Sequence, residues 1–560
     1  MLLTHLNLLA TSLDGVARLR ELILTLAVQG KLVPQDPKDE PASELLKKIR
    51  AEKDRLIAEG KIKRDKTLPE IADEEKPSLP VGWAWVPLQH VGYTQTGTTP
   101  DKKNPEFYGT HIPFIKPGDI YPRFVDYGNE GLSERGLNDS GRVAPSGSIL
   151  MVCIGTIGKT NIIDRDCSFN QQINSITPLC CVPEFLSLYL RCPEFQSVAW
   201  ARSSSTTISI LNKGNWEEVP VVLPPLAEQS RIVTRVEELM RLCDALEAKA
   251  RLETTQHAQL VATLLATLTA STTPEELADN WQRVATHFDL LLDRPEAVDA
   301  LEQTILQLAV RGLLVPQDPA DEPANELLKK IRTEKDRLIT AGKIKRDKPL
   351  PPIVDEEKPF ELPPGWEWVR LNSLLQKIGA GSTPLGGREV YVPSGVKFLR
   401  SQNVWDDGLR LDRVAFIKPE THAKMAGTVV VANDLLFNIT GASIGRCTVV
   451  PSDFDEGNVS QHVTIVRTVL PELNAFLHKV LISRHVQQAV MDVQVGVSRE
   501  GLSIAKLGHF LIPVPPPAEQ SRIVSRVAAL HALCAQLRKK LTDVRNTQSQ
   551  LAEALVETVA

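Results

Sequence analysis

The sequence predicts an α+β protein: two globular mixed α/β domains separated by long antiparallel coiled-coil helices, built as an internal tandem duplication with pseudo-two-fold symmetry. Three observations carry this. The segment Leu32 to Lys66 returns as Leu314 to Lys348 with five differences in 35 positions, which is the signature of a duplicated unit. Near Ala227 and Ala518 the sequence AEQSRIV returns as well and opens two long heptad patterns. Between the repeated segments lie two unlike stretches with short β-branched runs punctuated by Gly, Pro and Asn, which read as strands and turns.

Taken in order, residues 1–78 form an N-terminal conserved helical region. A helix is expected from Ala42 to Gly60, with acidic residues near its start, basic residues further along and glycine at its stop, as the helix dipole and the glycine C-cap favour. Residues 79–225 form a first variable domain, with strands expected at Ile112 to Ile115 and Ser148 to Ile154. Residues 226–361 form a central conserved region, which holds a long helix and the second helical segment, Ala324 to Gly342. Residues 362–516 form a second variable domain, with a strand expected within Gly427 to Phe437, and residues 517–560 a closing helix. The heptad seam reads Ile232, Val236, Leu239, Cys243 and Leu246 in the first long helix and Ile523, Val527, Leu530, Cys534 and Leu537 in the second. Steps alternating between four and three residues make an apolar stripe that must be covered, and the other copy offers a cover.

Composition narrows the functional classes. Apolar residues make up 42% and charged residues 24%, an ordinary globular balance. No run approaches the ~18 to 20 apolar residues of a membrane span, and the eight cysteines include no C-x-x-C pair. A reduced, cytoplasmic protein with no membrane contact, no bound metal and no cofactor is the expectation. The net charge of −5 argues against a strongly basic nucleic-acid binder. By domain, Gly82 to Pro225 carries 11 basic and 13 acidic residues, and Gly365 to Pro515 carries 15 and 13.

Four landmarks then carry a resemblance. They are Leu-Ala-Val-Gln-Gly-Lys-Leu at Leu26, Gly-Trp-x-Trp at Gly82, a Gly-x-Thr-Pro turn ending at Pro100, and Pro-Pro-Leu-Ala-Glu-Gln at Pro224 opening the long helix. Each has a counterpart in the second half. In this order they resemble the specificity subunits of type I restriction-modification systems, over essentially the full chain. The resemblance implies a non-catalytic subunit whose variable domains are target recognition domains, each reading one half of a bipartite, asymmetric site in double-stranded DNA. It also implies conserved helices that space those domains and dock two copies of a methyltransferase (modification) subunit and, with them, restriction subunits, the ATP-dependent translocase/endonuclease.

Candidate DNA-contacting residues follow from matched positions. Lys116 and Arg400, Lys159 and Arg446, and Lys213 and Lys506 keep positive charge in both domains, which suits phosphate contacts that position without reading sequence. The bland reading is a solvated charge. Thr98 and Thr99 match Ser382 and Thr383 in the Gly-x-Thr-Pro turns, and Gln171 and Gln172 match Gln461 and His462 after a turn; all are able to hydrogen-bond base edges, phosphates or simply the turn itself. The loops Arg202 to Thr207 and Val497 to Glu500 differ in composition. Arg202 with Ser203, and Arg499 with Ser498, are therefore candidates for unlike readout, arginine through its fork onto guanine.

Other features favour structure. Trp83/Trp85 and Trp366/Trp368 at strand spacing read as core anchors rather than base-stacking platforms, and the KIKRDK runs at Lys61 and Lys343 as solvated helix ends. His257, near the seam where Gln548 stands in the copy, reads as a register or specificity device rather than a ligand. Gly158-Lys159-Thr160 resembles the end of a phosphate loop, but Cys153 stands where that loop needs glycine. Asn104 to Phe107 lacks the second proline of an amino-methyltransferase signature. A duplicated coiled-coil adaptor and a nucleotide-using enzyme around Lys159 and Thr160 are the rival readings.

Overall fold

The computed structural model describes residues 14–68, 71, 78–204, 208–271, 273–495 and 501–559. Packing divides the chain into two compact units, residues 1–253 with 545–560, and residues 254–544.

In the first unit, helices α1 (Gly15–Val28) and α2 (Ala42–Ala58) precede the variable domain. Its strands are β1 (Ala84–Pro87), β2 (Gly92–Thr96), β3 (Tyr108–Ile115), β4 (Gly131–Leu132), β5 (Val143–Ala144), β6 (Ile149–Val152), β7 (Thr160–Ile162), β8 (Cys167–Phe169), β9 (Ile173–Pro178) and β10 (Pro220–Leu223). They form an antiparallel sheet of order β2-β9-β6-β7, a mixed sheet of order β4-β3-β8-β5, and the pair β1-β10. Helices α3 (Glu134–Ser140), α4 (Pro183–Arg191), α5 (Pro193–Ala201) and α6 (Lys213–Glu217) join them, and α7 (Leu226–Ala270) begins at the Pro-Pro exit. The strands β6 and β8 are buried along their whole length, as a sheet covered on both faces requires.

The second unit repeats the plan. Helices α8 (Pro274–Thr286) and α9 (Phe288–Leu291) lead to α10 (Pro295–Val310) and α11 (Ala324–Thr340). The strands are β11 (Glu367–Arg370), β12 (Leu375–Ala380), β13 (Tyr391–Val392), β14 (Val396–Leu399), β15 (Val404–Trp405), β16 (Gly408–Leu409), β17 (Ala415–Ile417), β18 (Val429–Val430), β19 (Leu435–Asn438), β20 (Cys447–Val449), β21 (Gly457–Val459), β22 (Val463–Thr468) and β23 (Leu511–Val514). Sheet β12-β22-β19-β20 matches β2-β9-β6-β7, and the pair β11-β23 matches β1-β10. The mixed sheet has grown to β13-β17-β14-β21-β18. Helices α12 (Pro419–Lys424), α13 (Asn474–Leu481), α14 (Arg484–Val495) and α15 (Ile504–Gly508) precede α16 (Pro517–Val559). Gly427 to Phe437 is not one strand: it breaks between β18 and β19, where Asn433 takes a positive φ of 67°, a left-handed turn that asparagine tolerates.

A buried hub ties each variable domain to its helices, and it explains the two most recognisable motifs together. The Trp83 indole Nε1 donates to Glu228 Oε2 at 2.9 Å, and Gln35 Nε2 donates to Glu228 Oε1 at 3.1 Å. In the copy, Trp366 donates to Glu519 at 2.9 Å and Gln317 to the same carboxylate at 3.0 Å. Burial raises the Glu519 carboxyl above its ordinary range. Next to the hub, Arg231 bonds Asp39 and Arg522 bonds Asp321 with both guanidinium nitrogens, the forked geometry that makes arginine specific. Gly30 and Gly312 turn the chain beneath it with φ of +70° and +72°, and a Cβ there would meet Pro80 or Pro363 at 2.4 or 2.5 Å.

The heptad stripe is covered first within each unit, by a short helix that its spacing does not name. Ile232, Val236 and Cys243 are buried in the same apolar cluster as Ile23, Leu24 and Val28 of α1, with Leu239 partly buried against it and Leu246 half-buried. Ile523, Val527 and Cys534 are buried with Val298, Leu301 and Ile305 of α10, flanked by Leu530 and Leu537. The ion pairs along these contacts are the same contact with its signs exchanged. Arg20 of α1 reaches Glu247 of α7 at 2.8 Å, whereas Glu302 of α10, the repeat position of Arg20, receives Arg538 of α16, the repeat position of Glu247, at 2.6 Å. Pairing either short helix with the wrong long helix would oppose like charges. Arg538→Glu is expected to destabilise the second unit by roughly 1 kcal/mol, because these groups are partly exposed. Adding Glu302→Arg should recover part of that in a double-mutant cycle read by urea unfolding, and additive losses would deny the coupling.

His257 meets α9 and the residues after it: its Nε2 lies 3.1 Å from the Leu290 carbonyl and 3.2 Å from Asp293. The KIKRDK runs are pinned back on their own helices, through Lys53 to Asp65 at 2.5 Å and Lys335 to Asp347 at 2.6 Å.

One buried histidine sets an expected acid sensitivity in the second unit. Burial within α13 pushes the His478 imidazole down to about 4, while the matching position in α4 is Ser187. A histidine neutral when folded takes its proton first in the unfolded chain, so stability is full above the ordinary pKa of about 6.5 and falls as pH drops toward 4, by about 3 kcal/mol. Urea midpoints at pH 7 and pH 4 should therefore separate more for the native protein than for His478→Gln; equal separations would refute the assignment.

Candidate nucleic-acid interface

In each variable domain the loops at one end of the main sheet are laced into a single rim. In the first, Gly97 N donates to Ile173 O at 3.0 Å and Thr98 N to Phe169 O at 3.0 Å. Cys153 N donates to Gln172 O at 2.8 Å and Leu211 N to Cys153 O at 2.8 Å. The Thr99 hydroxyl bonds the Gln171 amide oxygen. The second domain repeats the lacing: Gly381 N to Val463 O at 3.0 Å, Ser382 N to Val459 O at 3.2 Å, Ile439 N to His462 O at 3.0 Å and Leu502 N to Ile439 O at 2.8 Å. Thr383 Oγ1 donates to Gln461 Oε1 at 3.2 Å. Thr98, Thr99, Gln171 and Gln172 are thus brought together, as are Ser382, Thr383, Gln461 and His462. Gln171, Gln461 and His462 are exposed, and His462 Nδ1 lies 2.5 Å from Thr440 Oγ1.

The matched cations stand beside this rim, several already engaged. Lys116 opens the turn after β3, forms an ion pair with Glu130, and sits where Asn170 N bonds Ile115 O at 3.0 Å. Arg400 occupies the same turn after β14. Lys159 donates to Pro117 O at 2.8 Å. Lys213 pairs with Glu217 at 3.0 Å. Lys213 and Lys506 are not structural equivalents: Asn212 and Ser503 are the matching N-caps, which places Lys213 first in α6 and Lys506 third in α15. Lys506 is exposed, with no ion pair among the described residues. Arg202 follows α5, and its carbonyl accepts from Asn215 Nδ2 at 3.0 Å, while Ser203 Oγ donates to Trp200 O at 2.7 Å. Thr207, Ser498 and Arg499 lie outside the described residues.

The structure adds an aromatic partner to the cation pair that sequence reasoning missed. Lys159 stands 5.3 Å from the centre of the Tyr121 ring, and Arg446 3.7 Å from that of Trp405. Tyr121 and Trp405 hold the same position, five residues after Lys116 and Arg400, and both are exposed, at 40% and 38%. Phe124, stacked on Tyr121 at 4.6 Å, extends the first surface. Exposed aromatic rings are surfaces on which nucleobases can stack, and a cation over a ring is attracted to its face. The only hint in the sequence was Phe-Ile-Lys-x4-Tyr beside Phe-Leu-Arg-x4-Trp.

The nucleotide-loop resemblance has a different structural meaning. Thr160 begins strand β7 rather than a helix, with its hydroxyl donated to Leu150 O at 2.7 Å. Cys153 is buried, and burial pushes its thiol up to about 12, the behaviour of an inert core cysteine. Among the described residues no helix is long and apolar enough to cross a membrane.

Comparison with known proteins agrees with this two-fold plan. A family model described as type I restriction modification DNA specificity domain matches residues 80–256 and again 363–544. The chain is 37% identical to the type I restriction enzyme EcoAI specificity subunit of Escherichia coli, over 97% of this chain and 94% of that protein. It is 35% identical to the EcoEI specificity subunit of the same organism, with the same coverage of each. A solved chain described under "Structural basis underlying complex assembly and conformational transition of the type I R-M system" covers 86% of this chain and 99% of its own length, with a TM-score of 0.50 and 18% identity, a likeness of fold. With two matched specificity domains on a duplicated frame, this chain belongs to the family of type I restriction-modification specificity subunits.

Proposed function

We propose that this protein is the non-catalytic reading subunit of a type I restriction-modification complex: each variable domain reads one half of a bipartite, asymmetric site in double-stranded DNA. The observation that carries the reading is the pair of rims, laced by the same hydrogen bonds yet bearing unlike residues, Gln172 against His462 and Tyr121 against Trp405. Equivalent frames with unlike surfaces suit two copies of one methyltransferase partner and two different half-sites. Residues 79–225 and 362–516 serve as the target recognition domains, and the helices around them as spacer and dock for modification and restriction subunits in the cytoplasm.

Its electrostatics support a division of labour. Lys116 and Lys213 are neutralised by Glu130 and Glu217, and the two variable domains carry 11 basic against 13 acidic and 15 against 13 residues, so the subunit alone offers little net positive charge to a phosphate backbone. Affinity for DNA in a gel-shift is therefore expected to be weak and shallow in salt for the subunit alone, and tight and steep in salt once the cognate methyltransferase is added. Tight, steeply salt-dependent binding by the isolated subunit would contradict this.

A further inference from the structure

Beside each rim stands a small hairpin that the duplication places on the same frame and arms differently. In the first variable domain Ile120 pairs with Val125 as an isolated bridge, Tyr121 N donates to Phe124 O at 2.9 Å and Asp126 N to Asp119 O at 2.8 Å. In the second, β15 and β16 pair Val404 with Leu409 and Trp405 with Gly408, and Arg410 N donates to Asn403 O at 2.9 Å. The turn that feeds the hairpin is matched too: Asp119 Oδ2 accepts from Lys116 N at 2.8 Å, and Asn403 Oδ1 from Arg400 N at 2.9 Å. The four-residue tips are therefore Tyr121-Pro122-Arg123-Phe124 and Trp405-Asp406-Asp407-Gly408. They are exposed at every position except Gly408 and share no residue.

Each hairpin is held by the same segment that is laced into its rim. The β6–β7 segment is bonded to the rim through Cys153. It holds the hairpin through Lys159, over Tyr121, and through Asn161 Nδ2, which donates to Tyr121 O at 2.8 Å. The β19–β20 segment is bonded to its rim through Ile439. It holds the hairpin through Arg446, over Trp405, and through Cys447 N, which donates to Asp406 Oδ1 at 2.9 Å.

What the tips can do differs. Arg123 is occupied: its Nη2 donates to Asp244 of α7 at 2.6 Å, a tie that belongs to the first tip, since Ala535 stands at the repeat position of Asp244. Tyr121 and its stacked neighbour Phe124, 57% exposed, are left as an apolar surface. In the second tip Asp406 is engaged with Cys447 N, while Asp407 meets Arg410 at 2.6 Å and keeps 66% of its side chain exposed. An ionised carboxylate only accepts hydrogen bonds and is repelled by phosphate, so on a surface that meets DNA it selects a base edge with an amino group, cytosine N4 foremost. An aromatic face suits the thymine methyl instead.

Resting on the reading of residues 79–225 and 362–516 as target recognition domains, we propose that these tips are specificity-determining: Phe124, backed by Tyr121, reads a thymine in the first half-site, and Asp407 reads a cytosine in the second. Arg123 and Asp406 position the tips.

The test maps the methylated motif of the assembled complex for the native chain, Phe124→Ala and Asp407→Asn, the last of which keeps the shape and exchanges an acceptor oxygen for an amide. Discrimination is read as the ratio of methylation rates between the native site and one with a single base pair replaced. It is expected to fall roughly tenfold at one T·A pair of the first half-site in Phe124→Ala, and at one C·G pair of the second in Asp407→Asn. Every other position should hold, which a merely destabilised domain would not show, because misfolding lowers all rates together. Unchanged discrimination in either variant, a loss spread over all positions, or a loss in the wrong half-site would overturn the proposal. A bipartite native motif alongside those outcomes leaves the specificity reading standing, whereas a contiguous native motif would remove both.

Discussion

Trp83→Ala is expected to cost the first unit about 3–5 kcal/mol for the deleted ring, and more because Glu228, 1% exposed, is left with an unpaired buried oxygen. The ring packs edge-on to Phe185 at 6.4 Å while its nitrogen holds the helix α7 carboxylate. Trp83→Phe should keep much of the packing and lose the hydrogen bond, a penalty of roughly 1–3 kcal/mol. Trp366 meets Phe476 at 6.1 Å and Glu519 in the same way, so Trp366→Ala and Trp366→Phe should show the same ordering in the second unit. Urea unfolding read by circular dichroism checks it, and a phenylalanine variant as damaging as the alanine one would contradict the packing account.

Replacing residues 79–225 by the matching region of a relative with another specificity should change one half of the recognised sequence completely and leave the other half intact. The hub makes such an exchange feasible. The contacts between variable domain and helices run through Trp83, Glu228 and Gln35, so a donor domain that keeps Gly-Trp and Pro-Pro-x-Ala-Glu-Gln brings the matching groups. Sequencing of the methylated sites reads the outcome. A change in both halves would show that the domains do not read independently.

What the sequence made legible was the repetition and its consequences. Helices α2 and α11 end two residues before Gly60 and Gly342, as the glycine stop suggests, and the long helices run 45 and 43 residues. The Gly-x-Thr-Pro turn and the Gln171 turn were singled out separately, and the structure joins them through one side-chain hydrogen bond in each domain. What stayed hidden depends on contacts between distant positions. Glu228 lies 145 residues from Trp83, and nothing in either local pattern says that they meet. The same holds for Lys159 over Tyr121. The heptad stripe announced that it needed a cover without naming α1 or α10, because periodicity reports one face of one helix. Lys213 and Lys506 looked equivalent by charge, and only their N-caps showed the two-residue offset.

The central claim, two unlike readers on equivalent frames, is tested most directly by mapping the adenines or cytosines that the assembled complex methylates across a genome of random composition. The account predicts one motif of two short, different sequences separated by an unread gap of constant length, the separation that a rigid helical spacer imposes on half-sites lying along the duplex. A contiguous motif, or a palindrome with identical halves, would contradict it.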